Sequence, residues 1–172
     1  DFAESRAGKH AQEFLGDWRG TLVCDDYAGY KALIAKGVTE AGCMAHARRK
    51  FFDLHVSNQS QIAVQALDYI QQLYRIEQDI ADRDPEPRQR LRQEQAKPIL
   101  DEFHDWLTRH RRQVPNGSAT AKAIDYSLNR WEALTAYLYN GAVQIDNNEQ
   151  IEREKRYSQH MDGIYVKQVL MY

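Results

Sequence analysis

The chain has 172 residues, enough for one sizeable domain or one domain with an insertion. Its composition, 42% hydrophobic and 28% charged, is that of a globular chain, and no apolar run approaches the roughly 18 residues needed to span a membrane. A formal net charge of -2 lacks the excess of Lys and Arg that leaves an electrostatic footprint on nucleic acid, so any basic surface must be local.

The first residues, DFAESRAGKHAQEFLGDWRG, have no basic region followed by an apolar stretch, so nothing marks the chain for secretion and a cytoplasmic location is expected. They also lack an initiator Met, which points to a truncated chain. Cys24 and Cys43 fit reduced cytosolic thiols better than a disulfide framework. From Gly20 to Cys24 a short apolar, β-branched run ends at the pair Asp25-Asp26, which predicts a buried strand with carboxylates at its C-terminal edge. Tyr30, Leu33 and Ile34 recur at helical spacing until Gly37, and Val38 to Cys43 predicts a second strand. Two short strands joined by one helix favour parallel pairing with a right-handed crossover.

From Ala45 the periodicity becomes helical, first through HARRKFFDL and then through Ile62, Ala66, Leu67, Ile70, Leu73, Tyr74 and Ile76. A break is expected at Asp84-Pro85-Glu86-Pro87, before a charged helix with apolar positions at Leu91, Ile99, Leu100, Phe103, Trp106 and Leu107, which Pro98 should cap or kink. Ser118 is a fair N-cap after the turn at Val114 to Gly117, for a helix bearing Ile124, Leu128, Trp131, Leu134 and Leu138 that ends at Asn140-Gly141. About residues 59 to 139 therefore read as a helical block, with no repeat at a fixed period.

Three segments carry residues suited to chemistry. Asp25 and Asp26 end a strand, where alternation sends neighbours to opposite sides, so one of them would face a site; a solvated turn is the plain alternative. In IDNNEQIERE, Asp146 or Asn147 could cap a helix on which Glu149 and Glu152, three apart, share a face; ordinary surface charge is the plain alternative. Carboxylates from distant parts of a chain suit a hard, oxygen-seeking cation such as Mg2+. His46, Arg48, Arg49 and Lys50 follow Cys43, and such cations at a helix start could hold phosphates or simply lie on a solvated face. Cys43 and His46 have the spacing of half a zinc site, without the second pair that a closed four-ligand site requires.

Four ordered segments, LVCDDYAGY (Leu22 to Tyr30), VTEAGCMAHARRKFFD (Val38 to Asp53), AIDYSLNRWEALTAYL (Ala123 to Leu138) and the IDNN run from Ile145, together resemble the insertion-sequence 66 family of DDE transposases. The resemblance covers about Arg6 to Arg153. It implies an α/β fold that is predominantly helical overall: a partial ribonuclease-H-like core at 1–56, a large all-helical insertion at 57–140, and a return to the core at 141–172.

What the resemblance implies about function is metal-dependent DNA strand cleavage and transfer. Asp25 matches the family's second catalytic aspartate, with Asp26 where a Gly is common, and Glu152-Arg153 matches its Glu-Arg pair shifted by one residue. Asp25 and Glu152 would thus be catalytic and metal-binding, with two Mg2+ ions in the intact enzyme and Mn2+ as a substitute. His46, Arg48, Arg49 and Lys50 would contact DNA, the expected partner at element ends and target, beside a possible second copy of the chain and no membrane. Near the nucleoid is where such a protein would act. The family's first aspartate lies upstream of the segment resembling residues 1–20, and the tail after Arg153 departs from the family pattern, so the chain is expected to be an incomplete fragment, inactive as given. The competing readings are a noncatalytic DNA-binding or partner-binding remnant, and a folded relic without activity.

Overall fold

The computed structural model describes residues 18–24, 30–147 and 170–171. β1 (Thr21–Cys24) has Leu22, Val23 and Cys24 all buried, as a run of apolar residues in a central strand should be. It pairs in parallel with β2 (Thr39–Gly42), in a register that sets Cys24 against Gly42. The crossover is α1 (Lys31–Ala35), which stops because Gly37 adopts a φ of +97°, letting the Val38 N–H bond back to the Leu33 carbonyl at 3.2 Å. The expected strand, helix, strand unit is therefore present. A two-residue strand, β3 (Leu170–Met171), lies antiparallel on the other side of β1, giving the order β2-β1-β3.

Everything else among the described residues is helix and loop, and the chain is predominantly helical. α2 (Met44–Asn58) starts at the end of β2 and turns over at Gln59, whose left-handed φ of 52° reverses the path. Ser60 then caps α3 (Gln61–Asp79) by accepting from the Ala63 N–H at 3.4 Å. α4 (Pro85–Leu91) begins at the expected Pro break and runs through a π-helical segment, Arg92–Ala96, into α5 (Lys97–Arg111). Pro98 lies in the first turn after that segment, where its missing N–H and its ring are tolerated because the π-helix has already relaxed the i to i−4 ladder. Ser118 caps α6 (Ala119–Asn129) as expected, accepting from the Ala121 N–H at 3.0 Å. The single helix expected up to Asn140 is instead broken at Arg130, where α7 (Trp131–Thr135) and a 3-10 turn (Ala136–Tyr139) follow.

One core joins the two parts. Val23 and Ala41 of the sheet belong to the same buried cluster as Phe51 of α2, Ile70 and Leu73 of α3, Leu100, Phe103 and Leu107 of α5, and Ile124 of α6. The opposite face of β1 buries Leu22 and Cys24 against Tyr30, Leu33 and Val38.

The return from the helices to the sheet is the eight-residue loop 140–147, and it is held by arginines that the sequence pattern assigns to a solvated face. Arg92 is fully buried in the π segment. Its Nε and Nη2 donate to the two oxygens of Glu77 at 2.8 and 2.6 Å, while Nη1 donates to the carbonyls of Tyr137 (2.9 Å), Asn140 (3.1 Å) and Val143 (2.9 Å). Arg88, one turn earlier, donates to the Gly141 carbonyl at 3.2 Å. Gly141 itself is obligatory, because a Cβ there would sit 1.7 Å from the Pro85 carbonyl oxygen.

Removing the guanidinium strands the Glu77 carboxylate, only 11% exposed, and the buried carbonyls of Tyr137 and Val143, so Arg92→Met is expected to cost about 3–5 kcal/mol in urea unfolding. Pairing it with Glu77→Met removes the stranded charge but not the orphaned carbonyls, each worth about 1–3 kcal/mol, so the double variant should recover only part of the loss. A double variant as stable as the parent would show that the carbonyl contacts contribute nothing.

Candidate functional site

Parallel pairing brings the C-terminal ends of β1 and β2 side by side, and a residue between β2 and α2 gathers what comes next. The Cys43 N–H donates to the Cys24 carbonyl at 3.3 Å, which ties it to the residue directly before Asp25. The Cys43 thiol donates to Asn147 Oδ1 at 3.1 Å across a separation of 104 residues. Beside it the Met44 N–H donates to the Ile145 carbonyl at 3.0 Å, and the Tyr74 hydroxyl of α3 donates to Asp146 Oδ2. Ile145 to Asn147 are thus laid along the strand ends, with Ile145 and Asn147 buried. Asp25, Asp26, Glu149 and Glu152 themselves lie outside the described residues.

The other face of the same strand ends carries a cluster that sequence reasoning missed. Glu40 of β2 accepts from Arg130 Nη2 at 2.7 Å, and the Cys24 thiol lies 3.7 Å from the same carboxylate oxygen. Both partners of the ion pair are largely sheltered, with side chains 24% and 11% exposed. Arg130 occupies the break between α6 and α7, so this pair explains what the interruption of the expected helix accomplishes: it aims a cation back at the sheet. Two polar residues in succession, Thr39-Glu40, give no alternation that could have pointed to Glu40.

The basic segment falls in the first two turns of α2. Arg48, Arg49 and Lys50 are exposed and His46 is half-buried. Three consecutive helical residues fan over about 200°, so they do not form one patch. Arg48 lies over the Phe52 ring at 5.8 Å, and the Lys50 ammonium sits 4.6 Å from the centre of the Tyr126 ring on α6, turned toward the helical block. Among the described residues no group of three or more His, Cys, Asp or Glu could hold a metal ion, and no helix is long and apolar enough to cross a membrane.

A family model described as "Transposase IS66 family" matches residues 1–160. Curated relatives from Sinorhizobium fredii (strain NBRC 101917 / NGR234), each described as an uncharacterized protein, include y4hP, 35% identical over 163 residues, and y4qI, 36% identical over 155 residues. The matches cover 85% and 86% of this chain but only 30% and 29% of those proteins, so the chain spans about three-tenths of their length. No solved structure matches.

Burial pushes the Cys43 thiol above its ordinary value of 9.0, and the negative charge of Asp146 adds to the rise. Above pH 9 the unfolded chain gives up this proton while the folded chain keeps it, so the unfolded state binds fewer protons and stability falls as pH rises. Below pH 9 the contribution is intact. The Tyr74 hydroxyl, raised by burial and then by Asp146, extends the fall beyond its ordinary 10.0. Urea midpoints should therefore drop steadily from about pH 9 upward, and Cys43→Ala should flatten the first part of the drop. An unchanged slope in that variant would mean that the thiol is not sheltered as its contacts require.

Proposed function

This chain belongs to the IS66 transposase family, and from that premise we propose that it forms part of a ribonuclease-H-like DDE core in which Asp25 and Glu152 are catalytic acids for metal-dependent DNA strand cleavage and transfer. In this reading residues 1–56 and 141–172 build the core and 57–140 the helical insertion. The observation that supports it most is the meeting at Cys43: the residue before Asp25 and the residue five before Glu152 each hydrogen-bond to this one side chain and its amide. Strand ends that converge in this way suit acids that must share a site.

Mg2+, with Mn2+ as its substitute, supplies activation of a water or 3′-hydroxyl and stabilisation of the leaving oxygen. In this reading Asp25 and Glu152 are the residues that would hold it. Paired-metal chemistry asks for a further acid, and the chain by itself does not catalyse strand transfer. Arg48 and Arg49 are exposed on α2 and neutralise DNA phosphates without reading bases. Lys50, drawn toward Tyr126, contributes less, and His46 is half-buried in the first turn of the same helix. The protein works in the cytoplasm at the nucleoid, on element ends and target DNA, as a single copy or with a second one.

Two measurements test this. Mn2+ binding followed by electron paramagnetic resonance should weaken at least about tenfold in Asp25→Asn and in Glu152→Gln. Binding to a DNA duplex, followed by fluorescence anisotropy, should lose about one unit of salt slope for each of Arg48→Ala and Arg49→Ala and less for Lys50→Ala. Unaltered Mn2+ affinity in Asp25→Asn would remove the metal-site assignment; DNA binding that then persisted would leave a noncatalytic DNA-binding protein. Nicking or joining by this chain alone, abolished by Asp25→Asn, would overturn its assigned inactivity.

A further inference from the structure

The helical insertion does more than fill the space between two halves of a core. We infer that Tyr74, in the middle of α3, is a positioning residue, whose hydroxyl together with the Cys43 thiol pins Asp146 and Asn147 to the C-terminal ends of β1 and β2. Its consequence for the metal site rests on the reading of Asp25 and Glu152 given above; the pinning itself does not.

Adjacent residues of the return loop are grasped from opposite directions. Tyr74 reaches Asp146 from the insertion, and Cys43 reaches Asn147 from the sheet. The Met44 N–H holds the intervening backbone through the Ile145 carbonyl. Fixing two consecutive side chains and the carbonyl before them leaves the chain little freedom to slide along or rotate about the strand ends. The upstream half of the loop is set separately, by Arg92 on Asn140 and Val143 and by Arg88 on Gly141. Those contacts fix where the loop starts; the Tyr74 and Cys43 contacts fix where it points when it leaves.

The same helix supplies an internal control. Tyr69 also donates its hydroxyl to a carboxylate, Glu102 of α5 at 2.9 Å, but that contact is exposed and joins α3 to α5 rather than to the return loop. If Tyr74 acts only as one more tyrosine on α3, the two substitutions should behave alike.

Native-state hydrogen exchange of the whole chain separates the cases. In Tyr74→Phe the amides of Val143 to Asn147 should exchange about tenfold faster while those of α3 and α5 keep their protection, and Tyr69→Phe should leave the loop unchanged. Asp146→Asn, which keeps an oxygen acceptor, should restore most of the protection that Asp146→Ala loses. Mn2+ affinity should fall in Tyr74→Phe and not in Tyr69→Phe. Acceleration spread over every helix would make Tyr74 a general stabiliser and overturn the inference, as would a loop that does not respond, or one that loosens while Mn2+ affinity stays constant. A parent chain that holds no Mn2+ would defeat the metal-site reading alone, and the exchange pattern would then decide the pinning by itself.

Discussion

A single buried guanidinium decides how the two parts of this chain are joined. Arg92 carries five N–H donors in a rigid plane, and a fully buried arginine must satisfy them within the protein. Glu77 neutralises the charge through two parallel bonds, and the two N–H groups of Nη1 are shared among the carbonyls of residues 137, 140 and 143. Those carbonyls belong to the end of a 3-10 turn and the loop behind it, backbone that has no ladder of its own to bond with. Burying the ion pair alone would gain little, since desolvation roughly cancels the attraction. Adding the buried carbonyls of Tyr137 and Val143 tips the balance, because the cost of leaving them unpaired exceeds the net worth of an ordinary hydrogen bond; the Asn140 carbonyl also accepts from the Val143 N–H at 3.1 Å.

Where Arg92 sits is set by local backbone geometry. The π segment Arg92–Ala96 rotates the helical face relative to a regular helix and opens the ladder just ahead of Pro98. The neighbouring Gln93 uses the same face, its amide donating to the Leu138 carbonyl at 2.7 Å. Loop 140–147 then follows the track laid down by Arg88, Arg92 and Gln93, and the absence of a side chain at Gly141 lets it press against the backbone of Pro85. The loop is irregular without being loosely held, since every second residue from Gly141 to Asn147 is buried.

The elements that follow one simple period were legible in the sequence. The β1, α1, β2 unit is written as two short apolar runs around a helix stopped by Gly37, and its parallel pairing follows from the crossover. Ser118 and the Asp84-Pro85 break marked their helix starts correctly. Arg92 was not legible, because it lies in the run RQRLRQEQAKP, where any 3.6-residue reading favours Leu91 as the inward residue. The structure leaves Leu91 half-buried and Arg92 fully buried, the outcome of a π segment that no periodicity announces. Arg130 was hidden for a similar reason: Ile124, Leu128, Trp131 and Leu134 fit one helix, and only the ion pair with Glu40 accounts for the break. The IDNN run drew attention through family resemblance, but Tyr74 and Cys43, 72 and 104 residues from their partners, carry no local mark of pairing with it.

The chemistry of the clamping groups also fits the site they adjoin. Tyr74 and Cys43 are neutral donors, and burial raises both of them, so they stay protonated well above neutral pH. A lysine or arginine could grip Asp146 more strongly through a charge-assisted bond. It would also place a positive charge near the acids proposed to hold metal, and at about 8 Å from a divalent cation, with an effective dielectric of about 20, that repulsion is about 4 kcal/mol. A neutral hydroxyl and thiol fix the geometry without that opposing field. Arg130, which approaches the other face of the sheet, arrives paired with Glu40. The strong cation of the fold, Arg92, is kept on the far side of the return loop and neutralised by Glu77. Buried arginine thus fixes the loop at its start, while a hydroxyl and a thiol hold Asp146 and Asn147 at its exit.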